Sequence, residues 1–114
     1  MKFSNLGDAV AGKVISAEDY QETHYDGPDK GKPKFYPKSG DPVMAVKVVL
    51  ETRPGDESSR VTLYAQGQKM IQAIAGAFRA EGRQDITVGD ELAVTFSGYD
   101  GRAKTYAAAY ALGV

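Results

Sequence analysis

The sequence predicts an all-β chain with one helix, curled into a small five-stranded barrel. Three observations carry this. Five segments show the period-two alternation or β-rich character of strands. One segment, between the third and fourth of them, switches to the 3.6-residue spacing of a helix. A glycine, Gly12, falls inside the first strand, where a bend lets one strand serve both halves of a coiled sheet.

The elements follow in order. Leu6-Gly7-Asp8 reads as a turn leading into a curved first strand over 9–18, with Val10, Val14 and Ile15 around Gly12. Residues 20–42 hold four of the five prolines and glycines at 27, 31 and 40, a composition that opposes helix and central strand alike. A loop of that length in a small domain is functional or partly disordered. The stretch 43–52 alternates, with Met44, Val46, Val48 and Leu50 on one face and Ala45, Lys47, Val49 and Glu51 on the other. After a loop over 53–59, residues 60–65 alternate again, Val61, Leu63 and Ala65 opposite Arg60, Thr62 and Tyr64, so the two strands pair antiparallel. Met70, Ile71, Ile74 and Phe78 form the apolar stripe of a helix over 68–81, capped by Gly82, with Lys69, Arg79 and Arg83 on its solvated face. Gly89-Asp90 repeats the Gly7-Asp8 turn ahead of a fourth strand carrying Leu92, Val94 and Phe96. A hairpin tip over 98–102 leads to the last strand, 105–112, with Tyr106, Ala108, Tyr110 and Leu112 on one face.

Strand, long loop, strand, strand, helix, strand, strand is the order of the OB-fold, a partly open barrel whose helix plugs one end. The expectation is one OB-fold domain over 1–114, helix between strands 3 and 4, with a long 20–42 loop. Its main rival is another small β-barrel or β-sandwich with the helix on one face. At 114 residues, one core is feasible and a second is not.

Composition narrows function. Fourteen basic and 15 acidic side chains leave a net charge of −1, so an electrostatic argument must be local. With no cysteine there is no disulfide, thiolate metal site or cysteine nucleophile, which fits a reducing compartment. His24 is the only histidine, and no GxxxxGK[ST], GxGxxG or GxSxG motif occurs. The expectation is a non-enzyme without cofactor or metal. The longest aliphatic run, Val48-Val49-Leu50, is far short of a membrane span, and Met1-Lys2-Phe3-Ser4-Asn5 carries no apolar core of signal-peptide type. That reads as a cytoplasmic protein without an anchor.

The run Pro33-Lys34-Phe35-Tyr36-Pro37, then Gly40-Asp41-Pro42-Val43 feeding a strand that ends Leu50-Glu51-Thr52, is joined by Tyr64, Gly67, the helix and Val88-Gly89-Asp90. Over residues 6–112 this resembles small OB-fold single-stranded-DNA-binding proteins, particularly those encoded by phages of actinobacteria. The chain departs from that pattern at its C-terminus, which has no acidic tail, and before Tyr106, where a proline pair is absent. The resemblance implies single-stranded DNA binding in phage replication or recombination, in the host cytoplasm.

Binding a single strand needs cations along the phosphates and aromatic faces for the bases. On an OB-fold these lie on the exposed face of strands two and three and in the loops after strands one and four. The first loop offers Lys30, Lys32, Lys34 and Lys38, with Phe35 and Tyr36 among them and no acid from 30 to 40. Phe35 reads equally as a stacking platform or as a ring tucked onto the barrel. Tyr25 and His24 are weaker candidates, and Asp26 and Asp29 dilute the patch. The outward face of strands two and three offers Lys47, Arg60 and Tyr64; the last hairpin offers Tyr99, Arg102 and Lys104, while Tyr106 reads as core. Arg53 stands beside Asp56 and Glu57. The partner these residues imply is single-stranded DNA, with single-stranded RNA also tolerated by such grooves. One small groove binds weakly, so a homo-oligomer or an array along the strand fits the same reading. The alternative is a protein-interaction module using the same loops, because one fold hosts many functions.

Overall fold

The computed structural model describes residues 3–24 and 27–113. Tyr25 and Asp26 lie outside the described residues. The chain forms β1 (Ala9–Gln21), β2 (Met44–Glu51), β3 (Arg60–Ala65), α1 (Gln68–Ala80), β4 (Glu91–Asp100) and β5 (Ala103–Ala111). A single 3-10 turn, Glu57–Ser59, precedes β3. The five strands make one open antiparallel sheet in the order β3-β2-β1-β4-β5, and the helix sits in the chain between β3 and β4.

β1 is the spine of this arrangement. Its first half, Ala9 to Lys13, pairs with β4, and its second half, Lys13 to Gln21, pairs with β2. The exchange of partners happens beside Gly12, followed by a bulge between Val14 and Ser16. A Cβ built on Gly12 would stand 2.6 Å from the Glu51 carbonyl oxygen, so glycine is required by close backbone approach rather than by positive φ. The strand runs to Gln21, three residues past the expected end, because Glu18 to Gln21 pair with Lys47 to Met44.

The two Gly-Asp turns serve matching purposes. Gly7 (φ 91°) donates its N–H to Phe96 O while Phe96 N–H donates to Asp8 O; Gly89 (φ 96°) donates to Val14 O while Val14 N–H donates to Asp90 O. Each turn thus extends the β1–β4 ladder at one end, and each glycine takes the left-handed backbone that an L side chain resists. The last hairpin is tighter than expected: β4 runs through Gly98 and Tyr99, and the turn is only Gly101-Arg102, opening on Gly101 at φ 64°.

The core gathers Val10, Val14, Val48, Leu50, Leu63, Ala65, Leu92, Val94 and Phe96 from the strands and Met70, Ile74 and Phe78 from the helix, joined by Tyr110 and by Phe3 ahead of β1. Helix α1 packs against β5, where Phe78 and Tyr110 meet edge to face. Tyr106 packs on the core, half-buried. Leu112 does not share that fate: it lies past the end of β5 and is exposed. At the start of β2 the expected faces also differ. Met44 is exposed, because its rung with Gln21 extends beyond the core, while Ala45 is buried. Arg83, expected on a solvated helix face, lies beyond α1 and forks onto Asp90, Nε to Oδ2 at 2.9 Å and Nη2 to Oδ1 at 3.1 Å.

Asp90 is 2% exposed and also accepts from Tyr110 Oη at 2.7 Å and the Gly113 N–H at 2.7 Å. These donors, the Arg83 guanidinium foremost, hold its carboxyl well below the usual carboxylate range. Tyr110 in turn accepts the Thr87 N–H at 2.9 Å, and burial pushes its phenol up. This cluster ties the start of β4 to the end of β5.

Candidate nucleic-acid interface

The described parts of the 22–43 segment, 22–24 and 27–43, are laced by backbone bonds. Thr23 bridges Pro33 and Phe35 bridges Pro42. Lys34 lies where both pairings meet: its N–H donates to Glu22 O, and its carbonyl accepts from Val43 N–H and from Gln21 Nε2. His24 N–H donates to Lys32 O and its carbonyl accepts the Gly31 N–H. The loop is therefore a folded extension of the β1–β2 hairpin, and its lysines are placed rather than scattered.

On the outer sheet face, Glu18, Lys47 and Tyr64 form one cross-strand row, and Tyr20 stands opposite Ala45 on the next. Tyr20 and Tyr64 lie two strands apart, roughly 10 Å at ordinary sheet spacing. Their ring centroids are nonetheless 6.1 Å apart at 85°, so both rings lean over β2. The small Ala45 between them gives that room, which explains its burial. Gln66 Nε2 donates to Tyr20 Oη at 2.7 Å and fixes the corner. Tyr64 stays 48% exposed.

Three hollows connect this corner to the loops. The first, about 760 Å³, is lined by Tyr20, His24, Lys30, Lys34 and Gln66 among others. The second, about 310 Å³, lies on the other side of Lys34, between Phe35, Tyr36 and the helix start at Gln68 and Ile71. The third, about 370 Å³, runs from Gln66 and Gln68 to Lys104 and Tyr106. Lys34 borders the first and second, Gln66 the first and third, Gln68 the second and third. Lys34, Phe35 and Tyr36 of the first loop and Lys104 of the last hairpin thus border hollows that adjoin at the β3–α1 junction, whereas Lys47, Arg60, Tyr64, Tyr99 and Arg102 line none of the three. Phe35 and Tyr36 are 53% and 41% exposed, and Tyr36 Oη accepts a long 3.4 Å bond from Gln68 Nε2.

The cations differ in what they are free to do. Among the described residues, Lys30, Lys34, Lys38, Lys47 and Arg102 make no ion pair, whereas Lys32 pairs with Asp29 at 3.6 Å. Lys104 is bound inward: its Nζ donates to Phe3 O at 2.6 Å and stands 5.1 Å from the Phe96 ring centre. Arg60 lies four residues along β3 from Tyr64, roughly 13 Å away, and holds the buried Glu51 at 3.1 Å. Arg53 is held by Asp56 at 2.9 Å. Tyr99 is exposed at the hairpin end, its ring edge-on to Phe96 with centroids 5.2 Å apart. Lys69 pairs with Asp100 at 3.1 Å, which brings that hairpin to the first turn of α1. Burial pushes the phenol of Tyr106, beside the third hollow, upward.

Tyr20, Gln66 and Gln68 were not among the sequence candidates. Tyr20 sits at a strand end that reads as loop; once β1 is carried to Gln21, its parity with Glu18 puts it on the Lys47–Tyr64 face. Glutamines carry no comparable signal. Among the described residues there is no group of three His, Asp or Glu placed to share a metal ion, and no helix is long and apolar enough to cross a membrane. Compared with protein-family models, with curated proteins and with solved structures, the chain matches none.

Proposed function

We propose that the chain binds single-stranded DNA without strong sequence preference, as an OB-fold protein of the phage type in replication or recombination. The observation that carries this is a run of neighbouring groups: Lys30 and Lys34, without an ion pair among the described residues, border the recess of Tyr20, Lys34 also borders that of Phe35 and Tyr36, and Tyr20 meets Tyr64, whose cross-strand neighbour is Lys47. Flat rings flanked by ammonium groups suit unpaired bases on a charged backbone. Supporting the OB-fold reading is β1, shared between a β2–β3 pair and a β4–β5 pair. The barrel would close along the β3–β5 seam, the two edges of the open sheet, next to which α1 packs on β5. The role is binding, with no bond made or broken.

The test is a mobility-shift titration with an unstructured oligodeoxynucleotide, the same sequence as duplex, and its RNA counterpart, at two salt concentrations. Binding to the single strand that weakens as salt rises is the expected result. Salt-independent affinity would remove the electrostatic part. No shift at low salt would favour a protein partner, with Phe35, Tyr36 and Tyr99 as its anchors.

A further inference from the structure

We propose that the hollow between residues 22–24 and 30–34 and the outer face of β1 is a subsite for one nucleotide, its phosphate held by Lys30 and Lys34 and its base edge met by Tyr20 and Gln66. At about 760 Å³ it falls within the ~300–1,000 Å³ range of small-ligand sites, while the neighbouring hollows are half that size or less. Glu22 is the one carboxylate among its described lining residues, against two lysines that no described acid neutralises. Lysine ammonium groups act on phosphate as mobile point charges.

The base side is preorganised. Tyr20 is held at its hydroxyl by the Gln66 amide and at its ring by Tyr64. Tyr20 Oη uses a lone pair to accept from Gln66 Nε2, so its own O–H remains to donate, and Gln66 Oε1 remains to accept. Adjacent donor and acceptor meet the Watson–Crick edge of any base, since each edge pairs an N–H with an oxygen or nitrogen acceptor. Such a subsite fixes a nucleotide without choosing among the four, as a sequence-tolerant binder requires. It lies at one end of the Tyr20–Tyr64–Lys47 face and extends the groove toward the loop. The inference rests on the single-strand reading for the source of the nucleotide, and its own chemistry is tested by a mononucleotide alone.

The experiment is an NMR titration of the ¹⁵N-labelled full chain with deoxythymidine 5′-monophosphate (dTMP), thymidine, inorganic phosphate and a (dT)₈ oligomer. The expected result is that dTMP moves the Gln66 side-chain amide and the Gly31 amide, and that thymidine and phosphate each do so at least fivefold more weakly. In a Lys30→Ala/Lys34→Ala variant, dTMP affinity falls about tenfold, the scale of removing one charge-assisted hydrogen bond. The same resonances moving with (dT)₈ place the subsite on the strand; movement with dTMP alone makes a free nucleotide its source. If dTMP leaves both resonances in place at millimolar concentration, or phosphate alone matches it, the subsite is overturned. Should (dT)₈ still bind in that case, the single-strand reading stands without it. If dTMP binds here and no oligomer binds, the subsite stands and the single-strand reading falls.

Discussion

Tyr64 is a half-exposed ring set at 85° to the ring of Tyr20 and flanked across the strand by Lys47. A base stacking on it would gain its attraction without first ordering the ring. Tyr64→Ala should weaken single-strand affinity by about 1–3 kcal/mol, or roughly 5- to 150-fold, while leaving the urea midpoint near wild type because the ring is half exposed. Tyr64→Phe keeps the flat face and should bind within a few-fold of wild type. An unchanged affinity in Tyr64→Ala, measured by fluorescence anisotropy on a labelled oligonucleotide, would remove this ring from the interface. Tyr110 is the converse case, a buried ring whose hydroxyl donates to Asp90 and accepts from Thr87. Tyr110→Phe leaves a part-buried N–H and a buried carboxylate lone pair unmet, so it should lower stability by about 1–3 kcal/mol without touching binding. The pair Lys47 and Tyr64 was legible because strict alternation places both outside. Tyr110 was legible as sharing a strand face with Tyr106, but not as the partner of Asp90, because the pairing spans 20 residues that only the fold brings together.

The first strand separates two kinds of glycine. A Cβ at Gly12 would stand 2.6 Å from the Glu51 carbonyl oxygen, whereas one at Gly76, inside α1, would meet nothing within 4 Å. Gly12→Ala should therefore push β1 from β2 and lower stability by about 1–3 kcal/mol. Gly76→Ala should raise it by about 0.5–1 kcal/mol through helix propensity alone. Urea unfolding of the two variants checks both signs, and a neutral Gly12→Ala would mean that the strand partner exchange does not depend on close approach there. The elements themselves were readable because each has one buried face and a clear period. The 20–42 loop was not, since its order comes from backbone bonds such as Lys34 N–H to Glu22 O that involve no side-chain pattern. That order also separates its lysines. Lys34→Ala/Lys38→Ala should flatten the salt dependence of binding by ~0.7 in slope for each phosphate that is no longer neutralised. Lys32→Ala, which removes a cation already paired with Asp29, should change it less.

Across the whole molecule the charges divide by task. Among the described residues the lysines of the groove are largely unpaired, while the carboxylates that hold the strands stand elsewhere, bonded. Asp90 ties the start of β4 to the end of β5. Glu51, bonded by the Gly55 N–H at 2.6 Å and then by Arg60, and Asp56, bonded by the Ser58 hydroxyl and Arg53, hold the β2–β3 hairpin. All three sit below the ordinary carboxylate range in the folded chain. The unfolded chain takes up their protons first, near pH ~4, so it binds more protons than the native state below that point. Stability is thus fully present above about pH 4 and is lost as the pH falls further. Asp90, with the deepest shift and a 2% exposed side chain, should carry the largest share of that acid limb. Urea unfolding at steps from about pH 5.5 to 2.5 should show the wild-type midpoint falling steeply below pH ~4. Asp90→Asn should start lower at the top of that range and fall less, because its amide takes up no proton. Glu51→Gln should flatten the limb to a smaller degree, and Lys34→Ala/Lys38→Ala should leave its slope as it is. An Asp90→Asn variant with the wild-type slope would mean that the Arg83–Asp90–Tyr110 cluster does not govern acid unfolding, and that the start of β4 is not held to the end of β5 by charge in the way its geometry implies.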